Sequence, residues 1–236
     1  MLGAHAITIT NMQCVILAAG RGTRLKSLTD NCPKPLVKVA GQPLIDHIVL
    51  ALPSAIDEII IVVGYLSAMI REYCGETFYG KKVTYVEQVV QDGTGRALWL
   101  CKDMLKGRFL FLFADDIHGK EDIARLTSFT RGILVMASDT PERFGVVVQN
   151  PDGTLAEIIE KPEHPPSNLV STGVMVLDEH IFEFEPTHPV NGEYYLTESL
   201  EQYAHQYPVF VVEEKMWLPI GYPEDIENAE KRLSVV

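Results

Sequence analysis

Cysteine is scarce in this 236-residue chain: Cys14, Cys32, Cys74 and Cys101 stand far apart, with no C-x-x-C pair and no histidine cluster beside them. That spacing excludes a zinc ribbon and a disulfide framework, and leaves buried free thiols in a reducing cytoplasm as the simplest account. A basic excess is missing too. Twenty Lys and Arg against 32 Asp and Glu give a formal charge of −12, which argues against nucleic acid as the main partner. No apolar run reaches membrane-spanning length; the longest, residues 59–63 and 109–114, are strand-sized, so no membrane partner is expected. Internal repeats and low-complexity tracts are absent. Residues 1–11 lack the basic start and apolar core of a secretory signal and read as an N-terminal extension, with Met12 as an alternative start. With 47% hydrophobic residues, positions 12–236 suffice for the core of one α/β domain but not for two large independent ones.

Against this acidic background, residues 15–36 read VILAAGRGTRLKSLTDNCPKPL, an apolar strand running into a Gly-rich loop with two arginines and then a lysine between two prolines. Gly20 and Gly22 let backbone N–H groups approach a ligand that a Cβ would keep away, and successive N–H groups form an anion nest. Arg21 and Arg24 add forked, charge-assisted hydrogen bonds, and Lys34 adds a compact charge from the far side. Three cations so close together suggest a polyphosphate. A Walker loop is excluded because no Lys-Ser or Lys-Thr pair follows the glycines in register. A dinucleotide fingerprint fits poorly because Leu25 stands at the third glycine position, and Pro33 and Pro35 interrupt any following helix. A basic surface loop is the usual fate of a lone G-x-G, but the density of this pattern favours phosphate.

Downstream, strands and helices alternate. Helical spacing is expected over 43–52, 67–74, 94–105 and 121–128, and strands over 58–63, 83–86, 109–113 and 133–137, which together imply a parallel, doubly wound sheet. Beyond Pro141 the texture changes. Residues 145–149 and 154–159 flank an Asn-Pro-Asp-Gly turn and read as an antiparallel pair. A strand over 173–177, a helix over 197–203, a strand over 209–212 and a closing helix over 223–233 follow. Residues 12–140 thus form one half and 141–236 a smaller, antiparallel one.

In a parallel sheet, ligands lie outside the carboxyl ends of the strands, so residues just after strands are the functional candidates. Asp115 and Asp116 follow the strand over 109–113, where a carboxylate can hold Mg²⁺ while phosphate oxygens and waters complete the octahedron. An isolated Asp there is more often a solvated acid or helix cap. Gln88, Gly93 and Thr94 open a helix after another strand; a Gln amide both donates and accepts on a base edge, although a plain Gly-rich helix entry fits the spacing equally well.

The run Leu17-Ala18-Ala19-Gly20-x-Gly22-Thr23-Arg24-Leu25 followed by Pro33-Lys34-Pro35-Leu36 resembles the signature of the sugar-1-phosphate nucleotidylyltransferases. The resemblance implies a Rossmann-like α/β fold and Mg²⁺-dependent transfer of a nucleotidyl group, UTP or dTTP favoured, from a nucleoside triphosphate to a sugar 1-phosphate. It implies nucleotide contacts at Ala18, Ala19, Gly20, Gly22, Thr23, Gln88, Gly93 and Thr94, a metal at Asp115 with Asp116 behind it or facing solvent, and catalytic charges at Arg24, Lys34 and Lys161. Glu160-Lys161-Pro162 matches the family's E-K-P, and Gly145, Ser171, Gly173 and Glu193 fall where the family lines its sugar pocket, Ser171 replacing a common Asn. Near the end, Trp217-Leu218-Pro219-Ile220-Gly221-Tyr222-Pro223-Glu224-Asp225 resembles W-x-D-x-G-T-P-E-D, but Pro219 occupies the position of the second metal-binding Asp and Tyr222 that of Thr. Glu224 and Asp225 are read as charges on the first turn of the last helix. Two other readings stay open: cytidylyl or guanylyl transfer to phosphocholine or a phosphonate, and a catalytically impaired, regulatory binder of nucleotide-sugars. The short stretch after the closing helix is expected to hold no further domain, and self-association is left open.

Overall fold

The first strand, Met12–Ala18 (β1), is apolar in succession rather than in alternation, with Cys14, Val15 and Ile16 fully buried, as in a strand covered on both faces. The computed structural model describes residues 12–234, so the expected extension over 1–11 lies outside the described residues. After the signature loop the chain makes a small hairpin, Lys38–Val39 (β2) with Gln42–Pro43 (β3), and enters helix Leu44–Ala51 (α1). This returns it to Ile56–Val63 (β4), parallel to β1. Helix Ser67–Cys74 (α2) and the short edge strand Thr77–Phe78 (β5) precede Lys81–Glu87 (β6), parallel to β4. Helix Thr94–Trp99 (α3) then carries the chain back past β1 to its other side, where Arg108–Phe113 (β7) pairs with it, again in parallel.

After β7 come a three-residue strand, Asp116–His118 (β8), helix Lys120–Leu126 (α4) and strand Gly132–Ala137 (β9). The hairpin Gly145–Gln149 (β10) and Leu155–Glu160 (β11) is antiparallel, as its turn chemistry predicts. Leu169–Asp178 (β12) runs antiparallel to β7, β9 and β10, which joins this hairpin to the parallel strands in one continuous sheet. Helix Leu196–Gln206 (α5), strand Phe210–Glu213 (β13), strand Trp217–Pro219 (β14) and helix Pro223–Leu233 (α6) complete the described chain. The order β11-β10-β12-β7-β1-β4-β6-β5, with β9 and β13 alongside β12, is the Rossmann-like α/β architecture expected. Among the described residues no helix is long and apolar enough to cross a membrane, and all four cysteines are unpaired, three of them buried and Cys32 only half so.

The elements differ from expectation in three places. The helix expected over 94–105 stops at Trp99 and tightens into a 3-10 turn at Lys102–Met104, which lets Cys101 and Leu105 both turn inward. Strand β12 begins four residues before the expected 173, because Leu169, Val170 and Ser171 pair with Ala137, Met136 and Val135 of β9, and the buried Thr172 adds a hydroxyl bond to the Leu134 carbonyl at 3.3 Å. The small β8–β14 sheet is too short to register as a pattern.

Beside that small sheet lies a buried ion pair. His118 Nδ1 and Glu214 Oε1 are 2.9 Å apart, with side chains 2% and 0% exposed. Burial pulls the His118 pKa down, but the hydrogen bond and charge of Glu214, reinforced by Asp116, outweigh it and leave the pKa above its ordinary value. Its stabilisation is therefore fully present below the unfolded histidine pKa and is lost as pH rises through the folded one. Urea unfolding should show His118→Leu destabilised by about 3 kcal/mol near pH 6, since one charge is left buried alone. The gap to wild type should narrow toward pH 9, and a pH-independent gap would mean that the imidazole is neutral in the fold.

Candidate active site

The chain leaves β1 for β4 on one side and returns through β7 on the other, so a crevice opens beyond the carboxyl ends of β1 and β7. The Ala114 N–H donates to the Leu17 carbonyl at 2.9 Å, which sets the turn after β7 against the loop after β1. A cavity of about 460 Å³ occupies this crevice. It is lined by Ala18, Ala19, Gly20, Gly22, Thr23, Gln88, Gly93 and Thr94, all read from sequence as nucleotide contacts, and by Arg24, Lys34, Asp115 and Glu193.

Its cationic wall is built locally. Gly22 is left-handed at φ 63°, and two short 3-10 turns, broken at Lys26 (φ 55°), follow over Thr23–Thr29. The Thr29 hydroxyl donates to the Gly22 carbonyl at 3.0 Å, and the Tyr65 hydroxyl donates to the Thr29 and Asp30 carbonyls at 3.1 and 2.7 Å, so the loop is pinned from two directions. Among the described residues the N–H groups of Gly20, Arg21 and Gly22 have no acceptor, as a nest for an anion requires. Arg21 and Arg24 are exposed and have no carboxylate within 4.0 Å among the described residues. Lys34 is different: its two prolines hold it in a 3-10 turn, it is 7% exposed, and its Nζ lies 3.1 Å from Asp115 Oδ2.

The two aspartates after β7 have separate jobs. Asp115 is half-exposed to the cavity and, among the described residues, receives no hydrogen bond on Oδ1. Asp116 is only partly exposed, and both of its oxygens are taken up by the protein. Its Oδ2 accepts from Trp217 Nε1 at 2.9 Å and its Oδ1 from the Ile220 N–H at 3.2 Å, holding the stretch that contains Pro219, which pairs directly opposite it. Burial first, and the neighbouring Asp115 second, push the Asp116 carboxyl up to about 6. With both Asp116 oxygens engaged and a proline at 219, Asp115 is the carboxylate open to a metal here. One carboxylate suits a Mg²⁺ whose other ligands are phosphate oxygens and waters.

Opposite this wall, the Gln88 N–H continues the parallel ladder to the Val63 carbonyl at 2.8 Å. Its side chain, 6% exposed, donates to Asp92 Oδ1 at 3.3 Å and to the Gly93 carbonyl at 3.1 Å. Both amide hydrogens are thus spent within the loop, and the carbonyl oxygen remains as the acceptor. The same loop is stitched to residues 194–196. Tyr194 N–H donates to the Asp92 carbonyl at 2.7 Å, Gly95 N–H to the Tyr194 carbonyl at 2.8 Å, and Leu196 N–H to the Thr94 hydroxyl at 3.1 Å. Gly93, at φ 117°, is required by this closeness, because a Cβ there would lie 2.4 Å from the Tyr194 carbonyl oxygen.

Gly145, Glu160, Lys161, Ser171 and Gly173 do not line the cavity. They form an adjoining group on β10, β11 and β12: Gly145 pairs with Glu160, and the Lys161 N–H donates to the Phe144 carbonyl at 3.0 Å. The Ser171 hydroxyl accepts from the Gly173 N–H at 3.2 Å, which commits one face of the side chain expected to meet sugar. Lys161 itself is left-handed, φ 44°, a conformation costing a side chain roughly 1 kcal/mol or more, and its Nζ lies 3.1 Å from Glu160 and 4.8 Å from the Tyr195 ring centroid. Burial, then Glu193, pushes the Tyr195 phenol up, so Glu193 stands between the cavity and this group.

The family model for nucleotidyl transferases matches residues 13–234. The chain belongs to the nucleotidyl transferase family. It is 36% identical over 234 residues to the UTP–glucose-1-phosphate uridylyltransferase AglF of Haloferax volcanii, covering 94% of this chain and 96% of that one. It is 33% identical over 225 residues to the bifunctional protein GlmU of Methanocaldococcus jannaschii, covering 94% of this chain but only about half, 54%, of the relative. Among solved structures, a Bacillus anthracis protein provisionally assigned as a glucose-1-phosphate thymidylyltransferase superposes with a TM-score of 0.85 at 28% identity, covering 95% of this chain and 96% of that one. A UDP-glucose pyrophosphorylase bound to UDP-glucose shares the fold at a TM-score of 0.83 and 22% identity, covering 96% and 99%.

Some parts of this nucleotidyl transferase site carry no local signal in the sequence. Tyr65 and Tyr195 reach it from distant segments and act through a hydroxyl and a ring face. Gln91 and Phe113 also line the cavity, and Phe113 shows in the sequence only as one more apolar residue of a strand. Lys34→Ala should lower kcat/KM for nucleotidyl transfer by about 100-fold or more while the melting temperature changes little; retained activity would remove the lysine from its assigned role. Gly93→Ala should destabilise the fold by roughly 2 kcal/mol in chemical denaturation, because a side chain must then hold a φ of 117° while its Cβ collides with the Tyr194 carbonyl.

Proposed function

We propose that the protein transfers a uridylyl or thymidylyl group from the nucleoside triphosphate to a sugar 1-phosphate, with Mg²⁺, in the cytoplasm, releasing pyrophosphate. The observation that carries this reading is the Lys34–Asp115 contact, in which residues 81 positions apart meet at 3.1 Å in the crevice beside the Gly-rich loop. A lone buried cation facing a lone half-exposed carboxylate suits a ligand that brings its own negative charge together with a metal. The base choice is supported by Gln88, whose remaining acceptor oxygen suits the N3–H that uracil and thymine present and cytosine lacks. The name of the Haloferax relative points to the same pair of substrates.

In this reading an oxygen of the sugar phosphate attacks the α-phosphorus in line. The new P–O bond forms as the bond to the β-phosphate oxygen breaks, and pyrophosphate leaves with the electron pair. No side-chain nucleophile is needed. Arg24, Lys34 and the N–H groups of Gly20 and Gly22 hold the triphosphate, Lys161 holds the acceptor phosphate against repulsion, and Glu160, Gly145 and Glu193 meet the sugar. Asp115 would hold Mg²⁺, which supplies charge neutralisation on the triphosphate when bound. Pro219 favours one competing reading, a binder of nucleotide-sugars that has lost turnover.

Pyrophosphate release from UTP, dTTP, CTP and GTP against hexose 1-phosphates and phosphocholine separates these readings. A signal with UTP or dTTP and a sugar 1-phosphate, abolished by EDTA, is expected. Silence with nucleotide-sugar still bound would support the binder, and a CTP signal with phosphocholine would overturn the base assignment. Pro219→Asp, by adding a carboxylate opposite Asp116, should lower the Mg²⁺ concentration for half-maximal rate.

A further inference from the structure

Two guanidinium groups share one aromatic ring at the edge of the site. Arg24 Cζ lies 5.7 Å and Arg143 Cζ 5.0 Å from the centroid of Tyr222. Each arginine is attracted to the ring face, while the two like charges repel. On a chain of net charge −12, neither has a carboxylate within 4.0 Å among the described residues. Residues 217–222 read WLPIGY and offer no acid to either. The backbone that carries the ring is held. Asp225 Oδ2 accepts from the Tyr222 and Gly221 N–H groups at 2.7 and 2.9 Å, which fixes the backbone at the start of α6.

The two arginines belong to opposite sides of the reaction centre. Arg24 stands on the phosphate loop and lines the cavity. Arg143 ends the 3-10 turn Pro141–Arg143, directly before Phe144, whose carbonyl accepts the Lys161 N–H, so its backbone adjoins that of the lysine assigned to the acceptor phosphate. Tyr222 is the physical link between them. An uncompensated pair of charges held at such a junction suits a ligand carrying phosphates on both sides.

We propose that Arg143 binds the phosphate of the acceptor, and that Tyr222 is a positioning residue whose ring holds Arg143 and Arg24 on either side of the phosphates being joined. The proposal rests on the nucleotidyl-transfer reading above. It assigns to Tyr222 a role that a threonine at this position could not fill, since threonine has no ring face.

Steady-state kinetics with each substrate varied in turn, beside calorimetric binding of the sugar 1-phosphate in the presence of a non-hydrolysable triphosphate, test it. Arg143→Ala, a change at an exposed residue, should raise the KM and the Kd for the sugar phosphate about tenfold and leave the KM for the triphosphate within about twofold, with Arg143→Lys between it and wild type. Tyr222→Phe, which keeps the ring, should match wild type in both parameters. Tyr222→Leu should weaken acceptor binding as Arg143→Ala does. An unchanged acceptor KM and Kd in Arg143→Ala, or Tyr222→Phe as damaging as Tyr222→Leu, would overturn the proposal. If wild type binds sugar phosphate but transfers nothing, the transfer reading fails while the Arg143 binding comparison still decides the proposal. If wild type binds no sugar phosphate, both fall together.

Discussion

The site depends on how β1 is paired. It is flanked in register by β4 on one side and β7 on the other, both parallel to it, and Cys14, Val15 and Ile16 within it are wholly buried. Parallel pairing sends all three carboxyl ends to the same edge, and the change in direction of winding at β1 leaves a gap there that no crossover covers. Whatever follows these strands must face that gap. The Gly-rich loop, the turn with Asp115 and the approach to Gln88 share one cavity because their strands share one buried neighbour.

Within the gap, electrostatics rather than shape sets the character. The body of the protein is acidic, yet among the described residues the loop side presents N–H groups without acceptors and arginines without carboxylate partners. Lys34 is the exception, neutralised by Asp115. That contact keeps an ammonium that is nearly buried from standing alone, and its partner is exposed enough for an arriving polyphosphate and metal to reorganise it. Asp116 next to it is withdrawn into structural service, and a proline stands across from it. The charge at this centre is therefore weighted toward cations from the protein, with one carboxylate, Asp115, left open to the cavity.

Much of this was legible in the linear order of residues. The strands at β1, β4 and β7 announce themselves as apolar runs, and α2, β10 and α6 have the bounds their patterns suggest. The loop residues from Ala18 to Arg24, and Lys34 between its prolines, can be read because their chemistry is local. What could not be read depends on distance in the chain. The Lys34–Asp115 pair, the Asp116 bonds to Trp217 and Ile220, and the Tyr65 hold on Thr29 each join segments separated by 36 to more than 100 residues. The conversion of 100–105 into a tighter turn is a packing outcome, set by where Cys101 and Leu105 must go and not by propensity. Nor does Gln88 advertise that both of its donors would be consumed by its own loop.

The stitching between residues 92–95 and 194–196 has a meaning for how such a protein changes over time. The segment proposed to meet the base and the segment that leads toward the proposed acceptor group share three hydrogen bonds, two between backbone groups and one to the Thr94 hydroxyl, and they run so close together that only glycine fits at position 93. Choice of nucleotide and choice of acceptor are therefore not separable modules that can be exchanged one at a time. A loop transplanted to alter one would arrive without its partner strand of hydrogen bonds and disturb the other, so new substrate pairs are most accessible through paired changes on both segments.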